Sequence, residues 1–115
     1  MSRGAAHFIW QDSNIVVWYF SHMAEPTFEW DDGKDRSNQI KHGVSFEVAQ
    51  RAFLDPRRVF VPDLGHGGGE QRYFCFGWVD DGVMTVRFTW RAQHIRIIGA
   101  GYWRKGRKVY EQENS

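Results

Sequence analysis

Arg87, Arg91 and Arg96 are closely spaced near the end of the chain, and a loop shortly upstream of them carries His66, Glu70 and Arg72. Preorganised guanidinium groups can neutralise the charge that builds on a phosphorane. A histidine or a carboxylate can carry a proton to or from a reacting oxygen. These residue types match RNA cleavage without a metal, in which the ribose 2′-oxygen attacks its own phosphate. His66 or Glu70 would take the 2′ proton or protonate the leaving oxygen, and the residue types leave the two roles open between them. Arg72, Arg91 and Arg96 would face the phosphate, with Arg87 holding RNA beside them.

The arginines belong to a longer stretch, Gly82 to Tyr110, that contains no Asp or Glu but carries Arg87, Arg91, Arg96, Arg104, Lys105, Arg107 and Lys108. The formal net charge of the whole chain is only +1, so the acids lie elsewhere. Unmixed positive charge of this kind points to a polyanionic partner. Arg104 and Arg107 would hold the RNA backbone or a protein partner. Within the stretch, Met84, Val86, Phe88 and Trp90 fall on one face of a strand. Val83, Thr85, Arg87, Thr89 and Arg91 fall on the other. An alternative reading of the same basic face is a nucleic-acid-binding or protein-interaction module without catalysis.

Other chemistries find little support. The glycines at 65, 67, 68 and 69 allow close backbone approach to a ligand, but no Gly-Lys-Ser/Thr ending follows them, which argues against a nucleoside-triphosphate site. His42, His66 and His94 are far apart in sequence and lack cysteine partners, so no metal and no cofactor are expected. There is no Gly-x-Ser-x-Gly elbow. Cys75 is the single cysteine, which excludes an internal disulfide and fits a reducing cytoplasm. No apolar run is long enough to cross a bilayer, and polar residues 11–14 interrupt the candidate signal region. These features together predict a soluble cytoplasmic protein.

The 115 residues suit one domain, with 17% aromatic residues to build its core. Residues 1–23 differ in character from the rest. Ile15 to Phe20 could pair as a strand, and Ser21-His22-Met23 resembles a cloning scar. The segment reads as tag-derived or upstream-translated sequence, or else as an extension that covers a sheet edge or an oligomer interface. The domain proper would then run over 24–115. Thr27 to Trp30 is extended, and Asp31 or Asp32 caps a helix from Lys34 to about Lys41 that Gly43 stops. Ser45 caps a second helix, with Phe46, Ala49, Ala52 and Phe53 on its buried face, and Pro56 ends it. Val59–Val61, Arg72–Val79, Val83–Arg91 and Ile95–Ala100 read as strands. Asp80-Asp81-Gly82 and Ala92-Gln93 form the turns of an antiparallel meander. Gly99 and Gly101 should break the last strand, ahead of a short helix from Trp103 to Tyr110.

This succession resembles the BrnT family of type II toxin–antitoxin ribonucleases, which are similar to RelE in fold. The resemblance rests on Phe28-Glu29-Trp30-Asp31, the block Lys41-His42-Gly43-Val44-Ser45-Phe46-Glu47, Asp55-Pro56, Asp63, His66, Glu70 and Arg72. It continues through Thr89, Arg91, Ile95-Arg96-Ile97-Ile98 and Tyr110-Glu111. It implies an α+β domain with two N-terminal helices packed on an antiparallel sheet and a short C-terminal helix. It also implies a ribonuclease that inhibits translation. The partners it implies are RNA and a cognate BrnA-type antitoxin, with operator DNA reached only through the antitoxin complex, which could contain a homodimer of the toxin. Carried over position by position, the family's basic and polar residues fall on Lys41, His42, His66, Glu70, Arg72, Arg91, Arg96 and Tyr110, of which Lys41, His42 and Tyr110 would bind RNA. Trp90, Gly99 and Gly101 depart from the family pattern, and the last removes an arginine for which Arg104 or Arg107 could substitute.

Overall fold

The computed structural model describes residues 27–65 and 69–115, together with the backbone of 6–8. The Ile15 to Phe20 run, the Ser21-His22-Met23 sequence and His66 lie outside the described residues. In chain order the elements are β1 (Ala6–Phe8), β2 (Thr27–Glu29), α1 (Asp32–His42) and α2 (Phe46–Ala49). A 3-10 turn (Gln50–Leu54) follows, then β3 (Arg58–Pro62), β4 (Tyr73–Val79), β5 (Gly82–Arg91), β6 (His94–Gly101) and α3 (Arg104–Glu113). Among the described residues, no helix is long and apolar enough to cross a membrane.

Local chemistry sets the helix ends. The side chain of Asp31 accepts the Lys34 N–H at 2.9 Å, and Gly43 closes α1 in the left-handed region at φ 70°. Ser45 caps α2 by accepting from Val48 N at 3.2 Å. The chain leaves the 3-10 turn at Asp55, extended at ψ 120° as the following proline requires. By contrast, α3 has no side-chain cap at Trp103 and opens on basic residues, a charge order that opposes the helix dipole. Packing therefore holds it. Gly106 lies so close to the sheet that an added Cβ would sit 2.1 Å from Thr85 Oγ1.

The strands form a six-stranded sheet in the order β1-β3-β4-β5-β6-β2. The expected antiparallel meander, β4 through β6, is its centre, and β3 joins it antiparallel to β4. The sheet as a whole is mixed, because β1 runs parallel to β3 and β2 parallel to β6. Parallel edges need long crossovers rather than hairpins, and those are invisible to a reading built on turn signals. Gly99 does not break β6, which stays paired through to Gly101, its last residue; the irregularity is a bulge at Arg87/Phe88.

The helices divide between the two faces. On one face α2 and the 3-10 turn cover Phe60, Met84, Val86, Phe88, Ile95 and Ile97, with Phe53 at the centre, its ring centroid 5.0 Å from Phe88 and 5.2 Å from Phe28. On the other face α3 covers Val59, Phe76 and Val83 with Val109 and Tyr110. The helices thus do not all lie N-terminally on one side. The alternation read in β5 survives, but its second face is polar only from Arg87 onward, because Val83 and Thr85 are buried beneath α3.

Candidate active site

Beyond the edge of α3 the second face of the sheet opens. Arg87, Thr89 and Arg91 come to it from β5, and His94 and Arg96 from β6, where Thr89 faces Arg96 and Arg91 faces His94. Thr27 and Glu29 arrive from the edge strand, opposite His94 and Arg96. Directly opposed residues project to the same side of a sheet, so these side chains share one surface.

The loop from Asp63 to Arg72 is pinned across this surface at its feet. Asp63 N donates to Arg72 O at 2.8 Å, and Thr89 Oγ1 donates to Gln71 O at 2.6 Å. Asp63 is buried; its Oδ1 accepts the Gly65 N–H at 3.1 Å and its Oδ2 accepts Arg87 Nε at 3.0 Å. These anchors deliver Glu70 to Arg91, whose Nε and Nη2 donate to the carboxylate at 3.0 and 3.3 Å in a two-pronged pair. Arg96 Nη1 donates to Glu29 Oε2 at 3.1 Å.

Charge here is matched rather than unmixed. Arg87, Arg91 and Arg96 each meet a carboxylate supplied by another element, and Arg107 meets Glu111 one turn along α3. The stretch without acids in sequence is therefore not a bare positive face in space. The pairs order the guanidinium groups, which otherwise carry large rotamer freedom. The Arg91 hydrogen bonds hold the Glu70 carboxyl below its ordinary range, helped by the charges of Arg91, Arg72 and Arg96. The same contact raises Arg91 further. Glu70 is thus a carboxylate at neutral pH, and it lies within the electrostatic reach of three arginines.

The structure accordingly brings Glu70, Arg72, Arg91 and Arg96 together, with Arg87 on the same face. Lys41 and His42 are exposed at the end of α1, where His42 packs edge-on to Trp103 with centroids 5.0 Å apart. They belong with Arg104 at the far end of β6, which at about 3.3 Å per residue puts them roughly 20 Å from the Arg91 end. The basic residues fall into two groups rather than one. Tyr110 belongs to neither. It is 9% exposed, its hydroxyl donates to Asp55 Oδ2, and burial followed by that bond drives its pKa upward. Its place is structural, because Asp55 also accepts Trp78 N at 2.7 Å and Arg57 N at 2.8 Å, tying α3 to β4. Cys75 is fully buried, and desolvation raises its pKa. An open, mainly apolar groove of about 810 Å³ runs beside α3 past Val61, Leu64, Phe74, Trp103 and Val109, with Asp63 on its wall.

Glu29, Thr27, His94 and the Asp63 partnership are the site features that residue types alone did not assign. Their contacts span 24 to 67 positions, so no local pattern announces them.

A family model described as the ribonuclease toxin BrnT of type II toxin–antitoxin systems matches residues 30–106. The chain belongs to the BrnT family. As a BrnT toxin it is a ribonuclease toxin of a type II system, the class that implies an RNA target and an antitoxin partner. The BrnT match includes Lys41, His42, Glu70, Arg72, Arg87, Arg91, Arg96 and Arg104, begins after Thr27 and Glu29, and ends before Arg107 and Tyr110. No curated relative matches the chain.

Proposed function

We propose that this BrnT toxin is a metal-independent endoribonuclease that cleaves RNA by attack of the ribose 2′-oxygen on the adjacent phosphate, at the surface where Glu70 meets Arg91. The observation that carries the reading is the two-pronged Glu70–Arg91 pair within the field of Arg72 and Arg96. A phosphodiester offers Arg91 the same oxygen geometry as the carboxylate it already holds. As the phosphate takes over Arg91, Glu70 loses the bonds that depress its pKa and becomes a better acceptor for the 2′ proton. Arg91, Arg96 and Arg72 then stabilise the phosphorane, and the products are a 2′,3′-cyclic phosphate and a 5′-hydroxyl. Arginines supply the charge that a metal would supply elsewhere. Among the described residues no three His, Cys, Asp or Glu side chains are grouped to hold an ion. His66 remains a proton-carrier candidate on the intervening loop. Lys41, His42, Arg104 and Arg107 hold the RNA backbone or the antitoxin away from the cleaved bond. Cleavage of cytoplasmic RNA would inhibit translation until the antitoxin binds.

The test is incubation of the purified protein with RNA in excess EDTA, with the new ends mapped. Cleavage with 2′,3′-cyclic phosphate ends is expected. Intact RNA with folded protein overturns the reading, and a strict Mg²⁺ requirement overturns the mechanism. Arg91→Ala and Arg96→Ala distinguish catalysis from a binding module: catalysis loses growth inhibition while RNA affinity changes little, and a binding module loses both together.

A further inference from the structure

We propose that His94 is the general acid of this cleavage, protonating the 5′-oxygen as it leaves phosphorus; the inference rests on the ribonuclease reading above. His94 opens β6 directly opposite Arg91, across the two-residue turn Ala92-Gln93. Opposed pairs in antiparallel strands place their Cβ atoms roughly 5 Å apart on one side of the sheet, so a phosphate held by Arg91 lies within reach of the imidazole.

The ring is oriented from behind. Its Nδ1 is hydrogen-bonded to Thr27 Oγ1 on the edge strand, where Thr27 and His94 are register partners. The Thr27 hydroxyl oxygen can accept from Nδ1–H, which the ring keeps both as imidazolium and after it gives up the proton from Nε2, so Thr27 supports the ring before and after the transfer. The residue as a whole is exposed.

Topology separates the proton acceptor from the donor. The strand order is β4-β5-β6. Glu70 reaches Arg91 from the loop that leads into β4, and His94 faces it from β6. In-line displacement at phosphorus needs the incoming 2′-oxygen and the departing 5′-oxygen on opposite sides, and Arg91 stands between the two candidates. The charged groups around the ring are Arg91 from β5, Arg96 from β6, Glu29 from β2 and Glu70 from the loop. The arginines do not release protons, and Glu70 enters the step as the acceptor of the 2′ proton, so neither can serve as the acid. Histidine is the side chain whose ordinary titration lies near neutrality. The other histidine with a described side chain, His42, is at the far end of β6 beside Trp103.

The step balances. The 2′-oxygen forms a bond to phosphorus and its proton passes to Glu70. The bond from phosphorus to the 5′-oxygen breaks, and the 5′-oxygen takes the proton from imidazolium Nε2. A thiolate leaves without protonation, which supplies the test. A linkage that the wild-type protein cuts is resynthesised with sulfur in place of the bridging 5′-oxygen, and both substrates are given to wild type, His94→Ala and His66→Ala. His94→Ala is expected to lose roughly a hundredfold to ten-thousandfold on the oxygen substrate while remaining close to wild type on the sulfur substrate. That retained activity also reports an intact fold. Equal loss on both substrates overturns the proposal and leaves His94 a structural residue. Sulfur rescue of His66→Ala in place of His94→Ala overturns it by moving the acid to the loop. Wild-type protein that cleaves no RNA removes the ribonuclease reading itself, and the inference with it.

Discussion

The pair between Arg87 and Asp63 should reveal itself as a rescue. Arg87→Met removes the cation and leaves the Asp63 carboxylate in a setting only 8% exposed. Removing one partner of a buried ion pair costs about 3–5 kcal/mol. The Arg87 side chain is 27% exposed and the pair partly screened, so the expected loss falls to about 2 kcal/mol. Asp63→Asn keeps an oxygen for the Gly65 N–H and removes the charge, and it should cost about 1 kcal/mol because Arg87 can turn toward water. If the carboxylate left behind is what destabilises Arg87→Met, the double variant should be the more stable of the two, by about 1 kcal/mol. Urea unfolding at pH 7 reads this as a recovery of the midpoint at constant slope. Double-variant losses equal to the sum of the single ones would refute the pairing, and with it the account of how the loop carrying Glu70 is anchored.

Glu70→Gln should reduce RNA cleavage by roughly a hundredfold to ten-thousandfold, measured as initial rates at fixed RNA. Arg91, chiefly through its hydrogen bonds, holds the Glu70 pKa below the ordinary value. Such a group adds stability above its unfolded pKa of about 4.3, and the gain is lost as pH falls through the folded value. The stability lead of wild type over Glu70→Gln should therefore be present at pH 7 and shrink as acidification passes the ordinary glutamate range toward the depressed folded value; a lead that does not change with pH counts against the pair. Gly106→Ala should destabilise by about 1–3 kcal/mol although alanine favours helices, because its Cβ meets Thr85 Oγ1. Thr85→Ala should recover only part of that loss in thermal melts, because the added Cβ also lies 2.9 Å from the Phe76 ring. Tyr110→Phe should cost about 1–2 kcal/mol through the lost bond to Asp55 and leave RNA affinity unchanged. A clear fall in affinity would return Tyr110 to the binding surface.

Much of the architecture was legible because it is written in neighbouring residues. Asp31 and Ser45 mark helix starts, Gly43 marks a stop, and Pro56 forces the exit from the 3-10 turn. Strict alternation over Val83–Arg91 announces a strand, and Ala92-Gln93 its hairpin, with Ala92 in the left-handed region at φ 55°. The residue types at Glu70, Arg72, Arg91 and Arg96 pointed to phosphodiester chemistry by the same local logic. What could not be read was how elements meet beyond the hairpin-joined strands. The parallel edges β1 and β2, the placement of α3 on the opposite face and the burial of Tyr110 follow from packing over long separations.

Residue order by itself determined that this chain carries an arginine-rich strand pair and, ahead of it, a glycine-rich stretch with a carboxylate and a histidine. Tertiary structure alone decided that the arginines would not stand unopposed. Glu29, Asp63 and Glu70 lie outside the acid-free stretch in sequence, yet the fold returns each of them to one of its guanidinium groups. Charge is summed over space and not along the chain, so the same residues that read as a bare cationic face become a set of ordered pairs once β2, the loop and β5–β6 share one surface.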